Sequence, residues 1–294
     1  MSNQSEAIVI PFERPDRRRF DRRLRRISHG VYVPATTPAT LQERAKAIAA
    51  ACGPGQVAVD RTAAWLHGID VLGSAETQVE TPLEFCAAPG AARIERPDVR
   101  GRHRTLHPSD LMELHGVTVT SPVRTALDLG CVLRRREALA ALDAFARLHG
   151  VTMADLRVNL DRYRGRRGVI QLRELIEYVD PRAESPRESW TRLAIIDAGL
   201  PTPEPQIWID IDGRPTYRLD LAYRLARIAV EYDGEGDHST VEQRVRDERR
   251  RRDLRRLGWR VIVIRDGDFH PDRLDAWLGD VREALGQRYT TRRW

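Results

Sequence analysis

Lysine is all but missing from this 294-residue chain: Lys46 is the only one among 49 Lys and Arg residues, so arginine carries nearly the whole basic side of the charge balance. Arginine codons are GC-rich, which accounts for much of that abundance. A net charge of +6 with arginines in blocks nevertheless suits a phosphate-bearing partner, because the guanidinium fork matches phosphate oxygens in pairs. Cysteine is scarce as well. Cys52, Cys86 and Cys131 are odd in number and far apart, which excludes a C-x-x-C zinc pair and an even disulfide framework and suits reduced thiols. No run approaches the ~18 consecutive apolar residues that cross a bilayer, and the first twenty residues lack the ordered regions of a secretory leader. A cytoplasmic protein with no membrane partner is expected. What is present, 41% hydrophobic and 31% charged residues, is enough apolar surface for a core and argues against wholesale disorder. The length favours two domains over one, since domains cluster at ~100–200 residues.

The clearest break is Val179-Asp180-Pro181-Arg182-Ala183-Glu184-Ser185-Pro186, where two prolines and charge interrupt helical patterns. It divides the chain into a basic segment 1–35, a domain 36–181 and a domain 182–294, an α+β protein overall. Before the break, 60–68, 121–130, 134–150 and 152–163 read as helices, with Gly68, Gly130 and Gly150 where left-handed caps would end them; 77–119 is strand-rich. The basic segment holds Arg22, Arg23, Arg25 and Arg26 before a β-prone run at 31–33. It reads either as a solvated face or as the remnant of a winged-helix module touching nucleic acid. Arg164, Arg166 and Arg167, with Gly165 and Gly168, form a second basic cluster between helices, either a phosphate contact or an exposed loop.

After the break the pattern sharpens. Ser185-Pro186-Arg187-Glu188 is a capping box with proline at the first helical position, and Trp190, Leu193, Ala194 and Asp197 continue one helical side to Gly199. Gln206–Asp212, Thr216–Ala222 and Arg227–Asp233 are β-prone, with Asp212-Gly213 as a hairpin turn between the first two. A helix at 240–257, a buried strand at 259–265 and a helix after Pro271 complete the order αβββαβ plus a last helix.

Alternation puts Leu219 and Leu221 on one face of the second strand and Arg218 and Asp220 on the other; on the third strand, Glu231 and Asp233 oppose Ile228, Val230 and Tyr232. Asp220, Glu231 and Asp233 then crowd together across neighbouring strands. Such acids repel and raise one another's pKa unless a cation joins them, and a hard divalent ion such as magnesium is the natural partner. The plainer reading is a solvent-facing half of a sheet, and Asp210 and Asp212 are of that kind.

These residues carry a resemblance. Ser185 to Glu188, Arg218-Leu219-Asp220-Leu221-Ala222, Ala229-Val230-Glu231-Tyr232-Asp233-Gly234 with His238, Arg246-Asp247-x-x-Arg250 and Leu257-Gly258-Trp259-Arg260-Val261 resemble the Vsr-like branch of the PD-(D/E)XK nucleases over about 184–287. The resemblance implies a restriction-endonuclease-like core, Asp220 and Glu231 as magnesium ligands, and Glu188 completing the site. It further implies His238 as a catalytic group and Arg246 and Arg250 on the active-site side, facing DNA. Asp233 stands where the pattern calls for lysine, and with Lys46 far upstream no lysine in the domain replaces it. His238 is alternatively a loop histidine with no role in the chemistry.

Arg61-Thr62-Ala63-Ala64-Trp65-Leu66-His67-Gly68 and Thr120-Ser121-Pro122-Val123-Arg124-Thr125-Ala126-Leu127-Asp128-Leu129 resemble the AbiEi-type antitoxins over about 25–150. That resemblance implies a mixed α/β regulatory domain and a toxin partner. Arg124 and Asp128 are spaced for an i,i+4 ion pair. Two functions follow: a magnesium-dependent DNA endonuclease regulated by its antitoxin-like half, or a catalytically silent DNA-binding antitoxin-type regulator that keeps the nuclease fold. A protein scaffold using its arginine surface is a third.

Overall fold

The computed structural model describes residues 8–9, 24–28, 31–34, 36, 40, 43, 45–47, 49, 55–71, 82–88, 90–91, 99–102, 104–114, 116–234 and 241–286. Two compact units emerge, Met1–Leu133 with Val151–Arg173, and Arg134–Gly150 with Glu174–Trp294.

In the first unit, β1 (Ile8–Val9), β2 (Leu24–Ser28) and β3 (Val31–Pro34) form an antiparallel sheet with β3 central. β4 (Gln56–Ala58) leads into helix α1 (Asp60–Leu66). β5 (Leu83–Ala87), β6 (Val99–Arg102), β7 (Leu111–Leu114) and β8 (Val117–Thr120) join β4 in a mixed sheet of order β6-β5-β4-β8-β7. Ala58, Ala63, Trp65, Leu83, Phe85, Val99, Val117 and Val119 form its core on one side.

Helix α2 (Pro122–Val132) starts where Ser121 accepts the Arg124 N–H and Pro122 fills the first position, as the Ser-Pro dipeptide indicates. It runs through Gly130 rather than stopping there. The Gln171 side chain donates to the Gly130 and Leu133 carbonyls, which satisfies the helix end without a left-handed glycine. The single helix expected over 152–163 is instead α4 (Met153–Val158) followed by a tighter turn at Leu160–Tyr163, at the end of which Tyr163 donates to Asp128. Between them in sequence, α3 (Arg135–His149) ends at Gly150 in the left-handed conformation and belongs to the second unit, whereas α5 (Val169–Ile176) follows the 160–163 turn.

The second unit is built on α6 (Pro186–Asp197), β9 (Glu204–Ile211), β10 (Arg214–Tyr223), β11 (Ile228–Tyr232), α7 (Val241–Arg256), β12 (Arg260–Ile264) and α8 (Pro271–Gly286). The sheet order is β12-β11-β10-β9, antiparallel except that β11 and β12 are parallel. Asp212 and Gly213 both take positive φ, +50° and +75°, the turn that matches strand twist in a tight hairpin. Ile195 from α6 and Trp277, Leu278, Val281 and Leu285 from α8 bury against Leu221, Ile228, Val230, Ile262 and Ile264. Leu254 of α7 packs in another cluster with Ala222, Ala229 and Trp259. The parallel β11–β12 pair needs a crossover, and α7 supplies it. Helix α3 is fastened to α6 by a buried ion pair: Asp143 accepts from Arg192 and from the Ser189 hydroxyl, both at 2.6 Å, and from the Asp180 N–H at 2.8 Å. Among the described residues no helix is long and apolar enough to cross a membrane.

Candidate functional site

The three strand acids line one cavity of about 170 Å³, together with Tyr232, Arg250, Arg251, Leu254 and Val263. Main-chain pairing of β10 with β11 runs from Tyr223↔Ile228 to Leu221↔Val230. Just beyond it, Asp220 Oδ2 accepts the Tyr232 N–H at 3.0 Å, taking the place of the next ladder bond. Glu231 lies on β11 beside it, and Arg250 of α7 donates through Nη2 to Glu231 Oε1 and, at 2.8 Å, to the Arg218 carbonyl. The Arg250 Nε is buried with no hydrogen-bond partner. Asp233 pairs more loosely with Arg265, at 3.7 Å.

Burial sets the electrostatics of this cavity. It pushes Glu231 up to about 7 against the pull of Arg250, with Asp220 adding to the rise. Asp220 is raised chiefly by burial; the Tyr232 N–H opposes this and the Glu188 charge reinforces it. Glu188 of α6 is itself buried, and its Oε2 accepts from the Glu184 N–H at 2.9 Å and the Gln206 amide at 2.7 Å; the cap residue Ser185 receives the Glu188 N–H, but its own N–H is not returned to Glu188, so the expected capping box is only half formed. It reaches Asp220 through charge, and its hydrogen bonds tie the start of the helix to Gln206 of β9.

These donors do not fit a resident magnesium ion as they are arranged. Glu231 presents an oxygen to a guanidinium, Asp220 presents one to a backbone amide, and among the described residues no group of three or more His, Cys, Asp or Glu side chains is placed to hold a metal. His238 lies outside the described residues. Arg246 is exposed on α7, and Arg250 is engaged inside the cavity.

The other predicted basic residues fall elsewhere. Arg22 and Arg23 lie outside the described residues; Arg25 and Arg26 lie on β2, where their backbone pairs with Val33 and Tyr32 of β3. Arg164 and Arg167 are exposed. Arg166 donates to Asp128 at 3.0 Å and stacks over the Tyr163 ring at 4.7 Å, so its charge is already engaged within the fold.

Arg166 belongs to a buried ionic network in the first unit that sequence reading touched only through the Arg124–Asp128 pair. Asp128 accepts from Arg124 Nε at 2.9 Å, the Tyr163 hydroxyl at 2.7 Å and Arg166, and Arg104 lies 3.1 Å away. Arg104 also binds Asp60, which opens α1 at φ +50° and whose carboxyl burial raises. Arg124 bridges onward to Asp110 at 2.9 Å. Asp110 lies at about 2: burial acts to raise it, and bonds from Arg162 and the His107 N–H with the Arg124 charge outweigh burial. His67 is buried, with its Nε2 2.8 Å from the Thr120 carbonyl, so this part of the antitoxin-like motif holds α1 against β8. Cys86 and Cys131 are free thiols pushed up to about 11 by burial, too high for a reactive nucleophile. Cys52 lies outside the described residues.

A mixed α/β unit with a five-stranded sheet and an arginine-acid core is therefore the setting for a family match: residues 49–178 match the AbiEi antitoxin C-terminal domain. That match stops short of the acidic cavity. Two Mycobacterium tuberculosis proteins, the uncharacterized proteins MT2308 of strain CDC 1551 and Rv2248 of strain H37Rv, are each 34% identical over 254 residues, covering 85% of this chain and 89% of theirs. The chain belongs to the family of these mycobacterial proteins. No solved structure matches it.

Proposed function

We propose that the chain is a DNA-binding regulator of the antitoxin type, acting with a toxin partner, whose second unit keeps the strand order of a metal-dependent nuclease without its catalysis. The match of residues 49–178 to the AbiEi antitoxin C-terminal domain carries the reading. The cavity supports the silent form of it. Arg250 supplies at Glu231 the positive charge that a nuclease would take from a metal ion, and Asp233 stands in the lysine position of the resemblance. A magnesium-dependent endonuclease is the second reading, favoured by the sharing of one cavity by Asp220, Glu231 and Asp233. It requires Arg250 to give up Glu231 when the ion enters.

The deciding experiment pairs duplex binding with cleavage. The full chain is titrated into labelled DNA at several salt concentrations, and the same DNA, its single strands and an RNA are incubated with magnesium or manganese. Salt-dependent binding, with no strand scission beyond that of Asp220→Ala, is expected. Metal-dependent scission that Asp220→Ala and Glu231→Ala abolish would install the nuclease reading instead, and co-purification of a co-expressed neighbouring gene product tests the partner.

A further inference from the structure

A second concavity adjoins the acidic one. It has a volume of about 240 Å³ and is lined by Arg251, Arg255, Val261, Val263 and Arg265, and it shares Arg251 and Val263 with the carboxylate cavity. Two periodicities produce it. Arg251 and Arg255 are one turn apart on α7, so they stand on one helical face. Val261, Val263 and Arg265 alternate along and just beyond β12, so they share one side of that strand.

The lining contains three guanidiniums and no carboxylate. Arg251 and Arg255 make no hydrogen bond or ion pair among the described residues, and the ion pair of Arg265 with Asp233 is long at 3.7 Å. Like charges one turn apart repel by a few tenths of a kcal/mol, and two valines behind them exclude water from one side, which strengthens whatever electrostatics the concavity has. An oxyanion relieves that repulsion. Three guanidinium forks, two from α7 and one from the end of β12, match the several oxygens of a phosphate group, and none of the three needs to change its protonation to bind it.

We infer that Arg251, Arg255 and Arg265 form a phosphate site that takes one backbone phosphate of a nucleic acid and sets the strand beside the carboxylate cavity. The phosphate chemistry stands on this geometry, and its nucleic-acid source rests on the DNA-binding reading above.

The test uses the full chain with Arg255→Ala, Arg265→Ala and the double variant. Arg252→Ala and Arg256→Ala serve as controls that remove the same charge from exposed positions of the same helix outside the concavity. In fluorescence anisotropy with duplex DNA of unrelated sequences, each site variant is expected to weaken binding by about tenfold whatever the sequence, and to reduce the log–log salt slope by about 1, more than either control does. In parallel, inorganic phosphate is titrated and followed by ³¹P line broadening, which the double variant should lose. If the wild type binds no nucleic acid but the double variant still loses the phosphate signal, the oxyanion site stands, its source is free phosphate, and the DNA-binding reading fails. If site variants and controls are indistinguishable on DNA and neither differs in the phosphate titration, the inference is overturned.

Discussion

Replacing Glu231 by glutamine removes one negative charge from the acidic cavity at nearly constant shape. The side chain is only 15% exposed, and burial, opposed by Arg250 and reinforced by Asp220, lifts its carboxyl from an ordinary 4.5 to about 7. Because the folded-state value lies above the unfolded one, the folded protein takes up the proton first as the pH falls. Ionised Glu231 therefore costs stability above about pH 7, and the cost is relieved progressively between about 7 and 4.5. A rise from 4.5 to about 7 corresponds to about 3 kcal/mol at full ionisation. The pull of Arg250 on the ionised form is already contained in that rise, so glutamine, which stands in for the protonated acid, is expected to gain about 2 to 3 kcal/mol at about pH 8. Urea unfolding of both proteins across a pH series, in a chelating buffer so that no divalent ion contributes, measures this directly. The variant should be the more stable at about pH 8, and the two curves should converge by about pH 5. A constant difference across that range, or a variant less stable at the alkaline end, would refute the electrostatic account of the cavity.

In the first unit, Asp128→Asn removes the carboxylate that faces Arg104, Arg124, Arg166 and Tyr163, and leaves the buried Arg104 and Arg124 with one carboxylate each, Asp60 and Asp110. A loss of about 3 to 5 kcal/mol in denaturant unfolding is expected. Gly168→Ala places a Cβ 2.1 Å from the Cys131 carbonyl oxygen at φ +85°, against main chain that cannot swing aside; a loss of at least about 2 kcal/mol in the same assay is expected. Ser185→Ala deletes the oxygen that accepts the Glu188 N–H at 3.2 Å at the start of α6. The expected cost is about 1 kcal/mol, read as a lowered thermal midpoint.

The second unit was legible because its signals are local. The Ser-Pro start of α6, the Asp-Gly hairpin and the alternation along β10 and β11 each act within a few residues, and the structure places those elements within a residue or two of their expected bounds. Alternation also sufficed to gather Asp220, Glu231 and Asp233 at one cavity. Contacts between residues distant in sequence leave no such local signal. Gly130 looks like a helix stop until Gln171, 41 residues on, caps the carbonyls. Arg166 looks like a loop arginine until Asp128, 38 residues back, takes its charge. Helix α3 precedes the proline-rich break at 180–186, yet it packs within the unit that follows, because Asp143 needs Arg192 and Ser189, 49 and 46 residues away.

The near-absence of lysine bears on what the acidic cavity can do. A lysine beside two buried carboxylates can lose its proton when desolvated, and so can pass a proton as well as balance charge. A guanidinium keeps its proton throughout the accessible pH range; Arg250 on Glu231 can neutralise and position, but it cannot act as an acid or base. With Lys46 the one lysine of the chain and part of the other unit, every cation that the described residues bring to the cavity is of the second kind. The same property suits the neighbouring concavity, where three permanent charges serve to hold a phosphate and no proton needs to move. A role that grips a nucleic-acid strand, as proposed above, needs only such permanent charges, and any proton transfer in the cavity would fall to its carboxylates.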